Sequence, residues 1–131
     1  MENERKTILV LEDEKPLLDA IKLKLEKSDF DVVTARSVGQ AKDYLTDVSG
    51  VRVIWLDHYL LGKEDGLDFV AWIKNNEKWK HIPIFVVSNT ASQDKVSSYI
   101  NFGINKFYTK SDYRLDQIID DIKRTLIESE K

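Results

Sequence analysis

Cysteine is absent from this chain of 131 residues, and glycine and proline are scarce, with five and two copies. The absence of cysteine excludes a disulfide framework, a thiolate metal site and a thiol nucleophile. We find no linker rich in glycine, proline or serine, no low-complexity segment and no internal repeat. The apolar runs are short, so the sequence predicts neither a signal peptide nor a membrane-spanning segment. We therefore expect a cytoplasmic protein.

Positive charge is not in excess either. The 20 basic residues are slightly outnumbered by 23 acidic ones, and both signs are interspersed along the chain. Direct binding of nucleic acid would require a basic patch or stripe, so we expect none, and we expect no membrane association. Hydrophobic residues make up 42% and charged residues 33% of the chain, which is typical of a globular protein. The length fits one domain.

Five short apolar runs alternate with helical patterns. The runs are rich in β-branched and aromatic residues, as is typical of strands buried on both faces. Helix starts are indicated by Pro16 and by capping boxes at Ser37–Gln40 and Thr90–Gln93. The alternation predicts an α/β fold with a five-stranded parallel sheet between two layers of helices. The predicted strands are residues 8–11, 31–35, 53–56, 84–87 and 106–109.

Polar side chains follow four of the predicted strands directly. An acidic run, residues 12–14, follows the first strand, Asp57 follows the third, Ser88 the fourth and Lys110 the fifth. Ligands of open parallel sheets bind beyond the carboxyl ends of the strands. We therefore expect carboxylates, one hydroxyl and one ammonium group to meet in a single cleft.

The chemistry of this set favours magnesium-assisted phosphoryl transfer. Clustered carboxylates raise one another's pKa unless a cation neutralises them, and Lys110 supplies only one positive charge. Mg²⁺ typically takes one or two carboxylates, here Asp13 and Asp57, with Glu12 available through a water molecule. A carboxylate can form an aspartyl phosphate, while Ser88 and Lys110 are suited to hold phosphoryl oxygens. We predict that Asp57 is the phospho-acceptor.

These landmarks, in this order, resemble the receiver domain of two-component response regulators over roughly residues 7–127. The resemblance implies a doubly wound, flavodoxin-like sheet of strand order 2-1-3-4-5. It also implies a single receiver domain over residues 1–131 without an output domain. Such a domain is not an enzyme, apart from catalysing its own magnesium-dependent phosphorylation and dephosphorylation.

The resemblance also implies partners and roles for individual residues. A histidine kinase or a histidine phosphotransfer protein would phosphorylate Asp57, and Mg²⁺ would contact Asp13, Asp57 and the backbone carbonyl of Tyr59. Ser88 and Phe107 would form a switch pair. This pair would report phosphorylation to a downstream protein bound at the fourth helix, fifth strand and fifth helix.

The sequence departs from the family pattern around the site. Leu61 and Ser111 stand where the family usually has prolines, and we expect a trans Lys110–Ser111 bond because a cis bond without proline costs about 2.5–4 kcal/mol. Tyr59 and Asn89 are expected to gate water near the phosphate, and we predict that they shield it and slow its hydrolysis.

Three alternatives follow from these features. A pseudo-receiver would bind partners without phosphorylation, a reading that Leu61, Asn89 and Ser111 keep open. A flavin- or nucleotide-binding enzyme is disfavoured, because the acidic turn at residues 11–16 has no glycine-rich phosphate cradle. The chain could also be a fragment of a longer hybrid kinase or regulator.

His58 is not expected to be catalytic, because neighbouring strand residues point to opposite faces and it should face away from Asp57.

Overall fold

In the computed structural model, residues 5–89 and 92–129 are described. Their strands are β1 (Lys6–Leu11), β2 (Phe30–Ala35), β3 (Val51–Leu56), β4 (Ile84–Ser88) and β5 (Lys106–Thr109). Their α-helices are α1 (Lys15–Lys27), α2 (Val38–Asp47), α3 (Gly66–Lys74), α4 (Gln93–Asn101) and α5 (Leu115–Ser129). The strands form one parallel sheet in the order β2-β1-β3-β4-β5. The predicted flavodoxin-like fold is confirmed, including the strand order.

The sheet divides the hydrophobic core into two layers. Successive strand residues point to opposite faces, and both faces of the central strands are buried. One layer, which includes Trp55, Phe85 and Tyr108, packs against α1 and α5. The other, which includes Phe69 and Tyr99, packs against α2, α3 and α4. The continuous apolar runs are therefore strands covered on both sides, as predicted. No helix of the described residues is long and apolar enough to span a bilayer.

The start of α2 agrees with the predicted capping box only in part. The Ser37 hydroxyl accepts the Gln40 N–H at 3.2 Å, as expected for an N-cap. The Gln40 side chain, however, accepts from the N–H of Arg36 at 2.7 Å and not from that of Ser37. The reciprocal bond is thus displaced by one residue towards the end of β2. Pro16 lies in the first turn of α1, as predicted.

The predicted capping box at Thr90 and Gln93 is wrong. The N-cap of α4 is Ser92, whose hydroxyl accepts the N–H of Lys95 at 3.3 Å. Gln93 is consequently the first residue of the helix and is too early to serve as the third residue of a box. Thr90 itself lies outside the described residues. Of the two hydroxyl residues in this segment, the one next to the helix, Ser92, is the N-cap.

Candidate functional site

The carboxyl ends of the strands bring three acidic side chains together at one edge of the sheet. Glu12 and Asp13 follow β1 and Asp57 follows β3, and each offers an oxygen within 4.8 Å of the oxygens of the other two. Glu12 and Asp57 are buried, whereas Asp13 is half-buried. Oxygen ligands in this number and spacing suit a hard divalent cation such as Mg²⁺.

Lys110 lies between two of these acids. Its Nζ donates to Oε1 of Glu12 at 2.8 Å and to Oδ2 of Asp57 at 3.4 Å. Burial opposes the positive charge, but the hydrogen bond to Glu12 and the attraction of both carboxylates raise the pKa of Lys110 above its ordinary value. Lys110 is therefore cationic at neutral pH. It begins a short 3₁₀ helix (Lys110–Asp112), and its bond to Ser111 is trans.

The surroundings of Glu12 disfavour the ionised form of its carboxyl group. Burial, together with the nearby charge of Asp57, raises its pKa from 4.5 to about 7 against the opposing hydrogen bond from Lys110. Its second oxygen accepts the N–H of Glu14 at 3.1 Å. Three acids share one ammonium group at this site. An added cation would favour the ionised form of Glu12, because an opposite charge lowers the pKa of a carboxyl group.

Main-chain hydrogen bonds hold Asp57 in place. Its N–H donates to the carbonyl of Leu11 at 2.9 Å, so pairing with β1 extends one residue beyond the end of β3. Its Oδ1 accepts the N–H of His58 at 2.8 Å. Ser88 ends the neighbouring strand β4, is fully buried and pairs in register with Thr109, directly before Lys110. The predicted acids, hydroxyl and ammonium therefore lie at one sheet edge.

Arg36 is a residue of the site that was not predicted from the sequence. Its guanidinium donates twice to the backbone carbonyl of Asp13, at 3.0 and 2.6 Å. It thereby ties the loop that carries Asp13 to the end of β2. An arginine that binds a carbonyl 23 residues away leaves no local pattern, so periodicity and capping signals could not reveal it.

His58 contacts α3 and α4 through its side chain, which agrees with its predicted orientation away from the Asp57 carboxylate. The imidazole is buried, with Nδ1 2.7 Å from the hydroxyl of Tyr99 and Nε2 3.7 Å from the carboxylate of Asp65. Burial lowers the pKa of His58, and nearby Asp65 only partly opposes this. The ring is therefore neutral at pH 7.

The predicted gating and switch residues lie around this edge in different environments. The Tyr59 side chain is half exposed, and its hydroxyl accepts from Nζ of Lys95 at 3.3 Å. Asn89 is exposed and is followed by residues 90–91, which are not described. Phe107 is half-buried, and its ring lies 5.8 Å from that of Tyr99. The aromatic half of the predicted switch pair thus contacts α4.

Comparison with known proteins agrees with this geometry. Residues 8–123 match the sequence model of the response regulator receiver domain. The chain is 28% identical over 105 residues to the phosphate regulon transcriptional regulatory protein PhoB of Pseudomonas aeruginosa. That match covers 80% of this chain and 45% of the regulator, so the chain spans less than half of the length of this curated relative.

Two solved structures extend the comparison to three dimensions. The phosphorylated cyanobacterial phytochrome response regulator RcpA is 29% identical, with a TM-score of 0.79 over 93% of this chain and 91% of that one. The Mn²⁺-bound form of response regulator Rcp1 is 28% identical, with a TM-score of 0.76 over 85% of each chain. Because the family match covers most of the chain, this protein belongs to the response regulator receiver domains of two-component systems.

Proposed function

We propose that this chain accepts a phosphoryl group on Asp57 from a histidine kinase or a histidine phosphotransfer protein and then changes its binding to a downstream partner. Receiver domains are signalling domains that interact with such kinases or phosphotransfer proteins and with downstream targets. The observation that carries the proposal is the position of Lys110, which bridges Glu12 and Asp57 inside a cluster of three carboxylates. That RcpA has been solved in phosphorylated form supports it.

In the proposed reaction the Asp57 carboxylate attacks the phosphorus of a phosphohistidine. An oxygen–phosphorus bond forms while the phosphorus–nitrogen bond breaks, and the departing imidazole takes up a proton. Lys110 and Ser88 would hold phosphoryl oxygens, and the N–H of His58 would orient the attacking carboxylate through Oδ1. We propose no activity beyond this phosphorylation and the hydrolysis of the resulting aspartyl phosphate, in which water takes up the phosphoryl group and the Asp57 carboxylate is restored.

The acidic residues of the site fit Mg²⁺, and receiver domains bind Mg²⁺ through such residues. We propose Asp13, Asp57 and the backbone carbonyl of Tyr59 as ligands, with Glu12 acting through a water molecule. The oxygen-only donor set supports a hard cation at this position. When bound, Mg²⁺ would neutralise charge that develops on the phosphoryl oxygens. The Mn²⁺-bound form of Rcp1 supports this assignment.

For the output we propose the face of α4, β5 and α5, with Ser88 and Phe107 as the switch pair. α4 carries the exposed apolar side chain of Ile100, at 59% exposure, and its C-cap residue Phe102 is 40% exposed. We propose that the partner is a protein in the cytoplasm, with neither nucleic acid nor membrane bound directly. A phosphorylation-independent pseudo-receiver is not favoured, because the full set of acids, hydroxyl and lysine meets at one sheet edge.

The direct test is the intact mass of the protein after incubation with acetyl phosphate, with and without Mg²⁺. We expect the gain of one phosphoryl group that depends on Mg²⁺. A mass that stays unchanged at all Mg²⁺ concentrations would argue for the pseudo-receiver instead.

Mg²⁺ is expected to quench part of the tryptophan emission of the unphosphorylated protein. Trp55 is buried two residues before Asp57, so charge bound at the site changes its surroundings. Asp13→Ala should weaken the apparent affinity for Mg²⁺ by about tenfold or more, since even outer-shell changes cost about 10–100-fold at metal sites. Trp55→Phe is the control, because Trp72 and Trp79 add background emission. Quenching that survives Asp13→Ala at the same Mg²⁺ concentration would place the metal elsewhere.

Phosphate loss is expected to accelerate in Tyr59→Asn and in Asn89→Ala. Hydrolysis requires a water molecule in line with phosphorus, and we propose that both side chains shield that approach. We expect the loss of one shielding side chain to raise the hydrolysis rate about tenfold, which corresponds to a barrier lower by about 1.4 kcal/mol. The measurement is the decay of purified phosphoprotein. Slower loss in either variant would mean that the residue assists the water.

A further inference from the structure

His58 follows β3 beside the proposed acceptor and contacts both α3 and α4. Nδ1 of its ring lies 2.7 Å from the hydroxyl of Tyr99 in α4, and Nε2 lies 3.7 Å from Asp65, the N-cap of α3. Its main chain is held as well, because its carbonyl accepts the N–H of Gly66 at 2.9 Å. Its own N–H donates to Oδ1 of Asp57 at 2.8 Å. The peptide that contacts the acceptor is therefore anchored on several sides.

The side chains of His58 and Tyr99 are joined by one short hydrogen bond between Nδ1 and the hydroxyl, whose donor depends on the tautomer of the imidazole. Asp65 lies beside Nε2 but makes no hydrogen bond to it, because 3.7 Å is too long for one. Tyr99 is fully buried in the core layer under α2, α3 and α4. A fixed phenol thus holds the imidazole in one orientation.

We propose that His58 and Tyr99 are positioning residues for phosphoryl transfer to Asp57. The hydrogen bond between their side chains fixes the His58 peptide, and the N–H of that peptide orients the Asp57 carboxylate for attack. Neither side chain touches the phosphoryl group. The inference rests on the proposed function of Asp57. Displacement of a reacting group by about 1 Å can cost about 100-fold in rate, so a small shift of this peptide has a measurable effect.

Tyr99→Phe removes one hydroxyl group and keeps the aromatic ring. We expect the rate of phosphorylation by acetyl phosphate at saturating Mg²⁺ to fall about tenfold. The matched control is Tyr108→Phe, which also removes a hydroxyl from a fully buried tyrosine. That hydroxyl donates to Asp121 at 2.6 Å, and the ring lies in the other core layer, so we expect wild-type rates. An unchanged rate in Tyr99→Phe, or an equal fall in both variants, would overturn the proposal.

Two further measurements separate positioning from general loss of stability. His58→Leu should slow phosphorylation as much as Tyr99→Phe, and the double variant should be no slower than either, because both changes remove one interaction. Additive losses would contradict the pairing. The second measurement is the hydrogen exchange of the His58 amide in the unphosphorylated protein. It should speed up in Tyr99→Phe and not in Tyr108→Phe.

The exchange measurement does not depend on phosphorylation. The wild-type protein could gain no phosphoryl group while the His58 amide responds as expected. In that case the proposed function is wrong, and Tyr99 stabilises the His58 peptide without a role in phosphoryl transfer. If the wild-type protein is phosphorylated and the amide does not respond to Tyr99→Phe, the positioning proposal fails and the proposed function stands.

Discussion

Asp57→Asn is expected to abolish the gain of a phosphoryl group from acetyl phosphate. The amide that replaces the carboxylate is a poor nucleophile and carries no charge to bind Mg²⁺. The fold should tolerate the change, because the new amide keeps an oxygen that can accept the His58 N–H, and the Lys110–Glu12 ion pair remains. Removal of one buried negative charge also relieves repulsion with Glu12. We therefore expect a melting temperature at least as high as that of the wild type.

The matched control for this loss is Asp43→Asn, which makes the same chemical change at an exposed position in α2. Asp43→Asn should be phosphorylated at the wild-type rate. Undiminished phosphorylation of Asp57→Asn would show that another residue is the acceptor.

Gly66→Ala is expected to lower the free energy of unfolding by about 1–3 kcal/mol, the usual range for overpacking in a dense interior. A methyl group on Gly66 would overlap the Tyr99 hydroxyl and lie 2.9 Å from the carbonyl oxygen of Asp57 and 3.1 Å from Cα of His58. Two of these three neighbours are backbone atoms of Asp57 and His58, which cannot move without displacing the proposed acceptor. Phosphorylation of the folded variant should therefore slow as well. Chemical denaturation and the acetyl phosphate assay measure the two effects.

Gly39→Ala is the control for this substitution. Gly39 is the second residue of α2, and a methyl group there would meet only the Ser37 hydroxyl, at 3.9 Å. Alanine in place of a glycine in the middle of a helix stabilises it by about 0.5–1 kcal/mol, and the gain should be smaller in the first turn, so this variant should be at least as stable as the wild type. Equal stability of Gly66→Ala and the wild type would contradict the close packing at the start of α3.

The sequence allowed the sheet and the polar ends of its strands to be predicted, because buried parallel strands are marked by continuous apolar runs. The predicted boundaries were less accurate. β3 begins at Val51, two residues before the predicted start, because the exposed Arg52 interrupts the apolar run. The capping box of α3, in which Asp65 and Asp68 cap each other, was missed, since it uses aspartate where the usual signal has glutamate or glutamine.

Contacts between distant residues could not be predicted. Tyr99 lies 41 positions after His58, and nothing in the local sequence of α4 marks this tyrosine as the one whose hydroxyl contacts the His58 ring. The raised pKa of Glu12 likewise arises from burial by the assembled fold. The positions of the strand ends predict which polar groups lie close together. The orientation of these side chains depends on helices that are distant in the sequence and pack against the sheet.

The central claim is that Asp57 carries the phosphoryl group, and the most direct measurement locates it. The wild-type protein is incubated with Mg²⁺ and acetyl phosphate and reduced with borohydride, which converts an aspartyl phosphate to homoserine, and its peptides are then sequenced by mass spectrometry. We predict homoserine at position 57, and only when Mg²⁺ was present. Homoserine at another aspartate, or unmodified Asp57 in protein that has gained a phosphoryl group, would contradict the assignment.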